Sequence, residues 1–149
     1  MLEFIPILTT SEENTELLDN QICKDVVAAT VDFYNVVGFN RPWIGYVVTM
    51  EGQIVGSAGY KGKPVDNKVE IAYGTIPAFQ NKGIGTQICR HLVNLASATD
   101  PLLQITARTL PDNYSSIEVL KKNNFKLLGM VYDKDDGDVQ EWQFIKHST

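Results

Sequence analysis

The sequence predicts a mixed α/β fold: a central, mostly antiparallel sheet holding one parallel strand pair, flanked by helices. Three observations predict it. The apolar period along the 149 residues switches between three- or four-residue steps and strict alternation, so helices and half-buried strands take turns. The run over 68–109 reads strand–helix–strand, which calls for a right-handed crossover between parallel strands. Tight turns at Glu51-Gly52-Gln53 and Asp136-Gly137 join alternating runs into antiparallel hairpins.

The elements follow in order. Residues 2–8 (LEFIPIL) read as an edge strand, because Pro6 has no N–H to give a central ladder. Thr10 and Glu13 have capping-box spacing. Leu17, Leu18, Ile22, Val26, Ala29 and Phe33 then recur at helical steps, long enough for two helices or one bent helix ending near Gly38. After the loop 38–43 come strands at 43–50 and 54–61, the turn KGKPVDN and a strand at 68–76 (KVEIAYGTI). A helix is expected from about Thr86 to Ala98, with Ile88, Leu92, Leu95 and Ala96 as its apolar stripe. A strand at 102–109, a short helix from Pro111-Asp112-Asn113 to about Asn123, and strands near 125–132 and 138–146 complete the chain. No repeat, linker or low-complexity tract interrupts it, so residues 1–149 are expected to form a single domain.

Composition narrows the function. Hydrophobic residues make up 44% and charged residues 21%, and thirteen Lys+Arg stand against eighteen Asp+Glu for a net charge of −5. An acidic balance without a basic run argues against nucleic acid as a partner, while leaving cationic substrates open. Cys23 and Cys89 stand far apart on apolar helical positions, and the histidines are His91 and His147 alone. That pattern offers no metal site and no disulfide scaffold, and reads as buried free thiols. The N-terminus lacks a basic segment followed by a long apolar run, and no stretch is long enough to span a membrane. The expected location is the cytoplasm, with no membrane partner.

The most specific segment is Gln80-Asn81-Lys82-Gly83-Ile84-Gly85-Thr86, between a strand and an amphipathic helix. Its glycines let the backbone approach a ligand, and the free N–H groups of a helix start favour an anion such as a pyrophosphate. Lys82 adds charge and Thr86 a hydroxyl. A Walker A loop is excluded because no GK(S/T) follows, and the dinucleotide fingerprint fails because Ile88 stands where its third glycine belongs.

The stretch VEIAYGTIPAFQNKGIGTQI resembles the acyl-CoA-binding motif of the GNAT N-acetyltransferases, with the core (Q/R)-x-x-G-x-(G/A). A second stretch, LPDNYSSIEVLKKNNFKLLG, is similar to the N-x-x-S-x-x-x-L-x-x-x-G-F segment of the branch that acetylates ribosomal-protein N-termini. The resemblance covers nearly the whole chain. It implies the GNAT fold, in which the parallel pair splays apart, and acetyl-CoA as co-substrate. Pantetheine would enter the splay against backbone groups of Thr75 and Ile76. The pyrophosphate would rest on main-chain amides from the Gln80–Thr86 loop (Asn81, Lys82, Gly83, Ile84, Gly85 and Thr86). Asn113 matches the position that bonds the pantetheine arm, and it also reads as a helix cap.

Acyl transfer to an amine needs a base for the ammonium proton and an acid for the departing thiolate. Glu70 is the candidate base. It shares a strand face with Ala72 and Gly74, whose small size leaves room for a substrate, while Val69, Ile71 and Tyr73 share the other face. The alternative is an ordinary strand carboxylate. The tyrosine that many family members use as acid is replaced by Leu120. Ser116 matches the serine that serves as a proposed acid in the ribosomal-protein branch, and also reads as an N-terminal helix hydroxyl; Tyr114 and Tyr132 are reserves. The turn before the last hairpin is Asn124-Phe125 where the family has Gly-Phe, a mild departure because Asn tolerates positive φ. For the acceptor the resemblance implicates Phe39, Arg41, Trp43 and the acidic turn 133–138. The expected function is therefore acetyl transfer from acetyl-CoA to a primary amine, a protein or peptide N-terminus or a small molecule, by direct attack in a ternary complex. The chain is expected as a monomer or homodimer. The rival reading is a non-catalytic acyl-CoA-binding or sensor module.

Overall fold

The computed structural model describes residues 1–10, 12–14, 17 and 20–146; Leu18 and the side chain of Ile22, both expected on the first helical stripe, lie outside that description. Seven strands form one sheet: β1 (Leu2–Pro6), β2 (Gly45–Met50), β3 (Gln53–Tyr60), β4 (Lys68–Thr75), β5 (Gln104–Thr109), β6 (Phe125–Asp133) and β7 (Gly137–Phe144). Their spatial order is β1-β2-β3-β4-β5-β7-β6. Only β4 and β5 run parallel; the other neighbours are antiparallel. The helices are α1 (Gln21–Val37), α2 (Ile84–Thr99) and α3 (Tyr114–Lys122), with 3-10 turns at Glu12–Asn14 and Pro77–Phe79. The expected mixed sheet, edge position of β1 and parallel crossover are all present.

Two faces of the sheet are told apart by what anchors them. Cross-strand antiparallel partners share a face. Ile71 pairs with Tyr60 and Tyr73 with Ala58, and the Tyr60 hydroxyl donates to Leu92 O in α2 at 2.6 Å, so this is the α2 face. Ala72 pairs with Gly59 and Gly74 with Ser57 on the opposite face, where α1 packs. There the Tyr34 hydroxyl donates to Ile7 O at 2.7 Å and accepts Gly45 N–H at 2.9 Å, tying α1 to the first two strands.

Burial corrects one expectation. α1 sends Cys23, Val27 and Tyr34 into the core, whereas Ala29 is exposed and Phe33 is 37% exposed. The core stripe is thus one position away from the one the apolar pattern suggested, because Tyr34 uses its hydroxyl and its ring together. On α2 the buried set is Ile84, Ile88, Cys89, Leu92, Val93 and Ala96, much as the pattern predicts. The expected capping pair also forms: Glu13 N–H donates to Thr10 Oγ1 at 3.2 Å and the Thr10 hydroxyl donates to Glu13 Oε1 at 3.0 Å.

The feature that positions the site lies between β4 and β5. Their pairing runs from Lys68↔Gln104 to Ile71↔Ala107 and stops, although β4 continues to Thr75 and β5 to Thr109. The strands part, and a gap opens through the sheet. On its other edge β4 is held tightly: a Cβ at Gly56 would stand 2.3 Å from Gly74 O, so only glycine allows β3 to approach so closely.

Candidate active site

Successive residues of a strand turn their N–H and C=O groups to alternate edges. Glu70 O accepts Lys61 N–H at 2.9 Å and Ile76 N–H donates to Val55 O at 2.8 Å, so even-numbered residues of β4 face β3. Val69 O faces β5, where Thr106 Oγ1 donates to it at 3.4 Å. Tyr73 and Thr75 therefore turn their main-chain groups to the gap, past the last β4–β5 pair. Thr75 has the place expected for it. Ile76 does not: its N–H is spent on Val55 and its carbonyl accepts Phe79 N–H at 2.8 Å. Tyr73 holds the edge position that the sequence reading gave to Ile76.

A cleft of about 630 Å³ lies on the α2 face of this gap, between the Gln80–Thr86 loop and the start of α3. Gln80, Asn81, Gly83, Gly85, Thr86, Asn113 and Ser116 line it. Gly83 caps α2 in the left-handed region at φ 81°, which favours glycine, and no side chain bonds the helix start. The first N–H groups of a 16-residue helix are thus left for a ligand. Gln80 Nε2 donates to Thr75 O at 3.2 Å, fastening the loop to β4. Lys82 and Ile84 do not line the cleft: Lys82 Nζ lies 5.8 Å from the Phe79 ring centroid and Ile84 is buried in the core. Ile84 can offer only its main-chain amide. Lys122, which the sequence reading missed, supplies a cation from α3 instead. The donor set and shape fit a phosphate-bearing acyl carrier.

Asn113 does cap α3: its Oδ1 accepts Ser116 N–H at 3.2 Å. It nonetheless faces both the large cleft and a smaller cavity of about 230 Å³ behind it. That smaller cavity also holds Ser116, Glu70, Lys61 and Arg108. Glu70 belongs to the α1 face and Ser116 to a helix packed beside α2, so the two meet only because the sheet is open between them. The Ser116 hydroxyl makes no hydrogen bond among the described residues. Tyr114 lines the large cleft, and Tyr132 lines neither space.

Glu70 is set in a charge cluster. Lys61 Nζ stands 2.9 Å from Oε2 and Arg108 Nε 3.7 Å from Oε1. Arg108 also pairs with Asp133 at 3.1 Å and Glu141 at 3.3 Å. Asp133 accepts the N–H groups of Asp135 and Asp136 in the hairpin turn, and these bonds together with Arg108 hold its carboxyl below the usual carboxylate range. Asp133 is therefore a buried brace, while Asp135 and Asp136 face the cavities. Sequence reasoning missed Lys61 and Arg108. A visible signal existed for Arg108, the one charged residue in the strand segment ITART.

On the α1 face a groove of about 520 Å³ runs over Gly45, Ser57, Gly59, Ala72 and Gly74, walled by Val26, Ala29, Thr30 and Phe33 of α1 and by Asp135. Its floor is small side chains, and a Cβ at Gly74 would meet nothing within 4 Å. The expected acceptor residues Phe39, Arg41 and Trp43 do not line it. Phe39 packs edge-on against Tyr34 at 5.2 Å and Trp43 against Tyr60 at 5.0 Å, while Arg41 is exposed. Ala29 and Phe33, expected in the core, form the wall in their place.

A family model described as an acetyltransferase (GNAT) domain matches residues 3–126. The chain belongs to the GNAT acetyltransferase family. Solved structures similar to this acetyltransferase share its fold. One is an acetyltransferase from Salmonella typhimurium that modifies the N-terminal serine of a 50S ribosomal subunit protein, at 18% identity and TM-score 0.69, with 97% of this chain and 100% of that chain covered. Another is the aminoglycoside acetyltransferase AAC(6')-Ib in complex with coenzyme A and kanamycin, at 18% identity and TM-score 0.69, with 98% and 95% covered. A third is a chimera of the spermidine N-acetyltransferase SpeG from Vibrio cholerae, at 13% identity and TM-score 0.69, with 97% and 95% covered. No curated protein sequence matches the chain significantly. Among the described residues no helix of the acetyltransferase is long and apolar enough to cross a membrane, and no group of three metal-ligating side chains forms.

Proposed function

We propose that the protein transfers an acetyl group from acetyl-CoA to a primary amine, on a protein or peptide N-terminus or on a small molecule, by direct attack in a ternary complex. The observation that carries this reading is the open sheet between β4 and β5, through which Glu70 and Ser116 line one cavity. Acetyl-CoA supplies an activated acyl thioester. The main-chain groups of Tyr73 and Thr75 hold the pantetheine arm, and the start of α2, whose N–H groups meet no side-chain cap, holds the phosphates with Lys122. The amine approaches from the α1 face over the small floor of the groove. Glu70 takes its proton, directly or through a water, and Ser116 donates to the departing thiolate.

The cysteines favour direct transfer over a covalent enzyme intermediate. Cys23 and Cys89 are both buried, and burial pushes the Cys89 thiol up to about 12 and the Cys23 thiol upward too. A nucleophilic cysteine needs the thiolate, which neither site supports. The whole chain, residues 1–149, serves as one catalytic domain in this reading. Structures of similar fold act on a ribosomal-protein N-terminus, an aminoglycoside and spermidine by their names, so the fold accommodates several amines.

Calorimetry with acetyl-CoA followed by thiol release over a panel of primary amines tests the proposal. Acetyl-CoA should bind, and at least one amine should release coenzyme A faster than the buffer blank. Binding without amine-dependent release would leave a non-catalytic acyl-CoA-binding module.

A further inference from the structure

Lys61 occupies an unusual place. It follows β3 directly, and its backbone N–H is pinned to Glu70 O at 2.9 Å. Its side chain is 43% exposed, yet its ammonium reaches 2.9 Å from Glu70 Oε2, which is itself buried. The contact is close but poorly aligned: Oε2 accepts no hydrogen bond among the described residues. The carboxylate is thus met by charge and lacks the directional donor that a well-placed ammonium supplies.

Lys61 lines both the cavity behind the cofactor cleft and the groove on the α1 face. Glu70 lines only the cavity, so Lys61 is the side chain that links the groove to the carboxylate. Asp135 borders the groove and Asp136 the cavity, so carboxylates are present beside both ends of the lysine's reach. The other cation, Arg108, is already shared among Asp133, Glu141 and Glu70, and its Glu70 contact is the longest of the three at 3.7 Å. If Lys61 swung out to the turn, Glu70 would hold only this partial partner. An incoming ammonium would restore the charge balance.

We propose that the Lys61 ammonium fills the acceptor-amine position on Glu70 in the resting enzyme, and that a primary alkylammonium acceptor binds by displacing it. Lys61 is then a specificity-determining residue. Its own chemistry, one ammonium on an unbranched alkyl stem, describes the acceptor head that the position takes. The inference rests on the acetyl-transfer reading for its purpose, but displacement itself is a binding event.

The test uses n-butylammonium as the probe, added to the protein with coenzyme A bound and followed by calorimetry. Lys61→Met keeps an aliphatic stem and removes the competing charge. It should tighten n-butylammonium binding on the order of ten-fold, with coenzyme A affinity unchanged. Lys61→Gln should do the same, which keeps the test available if one variant folds poorly. Lys61→Arg keeps a cation and should show no gain. Glu70→Gln placed on Lys61→Met should erase the gain. Unchanged or weaker n-butylammonium binding in folded Lys61→Met and Lys61→Gln would overturn the proposal. Thiol release by the same variants, measured separately with acetyl-CoA in place of coenzyme A, separates the two claims: tighter binding without acetyl transfer upholds displacement and removes the transfer reading, whereas transfer with unaltered binding does the reverse.

Discussion

In the proposed reaction Glu70 is the base and Ser116 the acid, and each also has a structural occupation to be separated from that role. Glu70 is an ion-pair partner of Lys61 and Arg108, and the Ser116 amide completes the Asn113 cap. Removing a cap costs about 0.5–2 kcal/mol of stability, but the Ser116 hydroxyl is not part of that bond. Ser116→Ala should therefore leave melting nearly unchanged while lowering kcat more than it raises the acetyl-CoA KM. Glu70→Gln keeps the shape and removes the base, so kcat should fall on the order of 10²-fold at neutral pH with acetyl-CoA affinity retained. Raising the pH should partly restore it, since a larger share of the amine arrives deprotonated. A Glu70→Gln rate and pH profile equal to the parent's would send the proton by another route. The alternation that puts Glu70 beside Ala72 and Gly74 was legible in the sequence, because strand periodicity is local. The cations around Glu70 were not: Lys61 arrives from the end of another strand and Arg108 from across the gap.

At the scale of elements, the loop Gln80–Thr86 and the helix it opens were readable from glycine spacing and the change of period. What that reading could not separate is the work of its two glycines. Gly83 has φ 81° and is required by the backbone. Gly85 has no such constraint, and a Cβ there would stand 3.4 Å from both Thr75 Oγ1 and Val119 Cγ2, at the wall of the cofactor cleft. Gly83→Val confounds strain with blockage, whereas Gly85→Val puts its branched methyls against the cleft. Gly85→Val should lower acetyl-CoA affinity ten-fold or more, about 1.4 kcal/mol, with its circular dichroism spectrum preserved. Full affinity in that variant would mean the cleft is not where the donor sits. The α1 stripe shows the opposite failure of local reading. Apolar spacing alone does not say which face a helix turns to a sheet and which to a groove, and Phe33 went to the groove because Tyr34 took the core with two hydrogen bonds.

For the whole molecule, the decisive property is where a ladder stops. The hairpins and the single parallel pair follow from turns and crossover handedness, which sequence reveals, whereas the insertion of β7 between β5 and β6 does not. The splay of the parallel pair was implied by the resemblance of VEIAYGTIPAFQNKGIGTQI, but the residue at which the ladder ends, Ile71↔Ala107, is not written in strand periodicity. Tyr73 and Gly74, beside that gap, line both the cleft on one face and the groove on the other, and in the proposed reaction donor and acceptor meet there. An amide chemical-shift map of the unaltered protein on titration with acetyl-CoA tests it most directly. The largest shifts are expected at Tyr73 and Thr75 and along Gly83–Thr86, with β1 and β2 unmoved. Saturable acetyl-CoA binding that leaves the Tyr73 and Thr75 amides unshifted would contradict it.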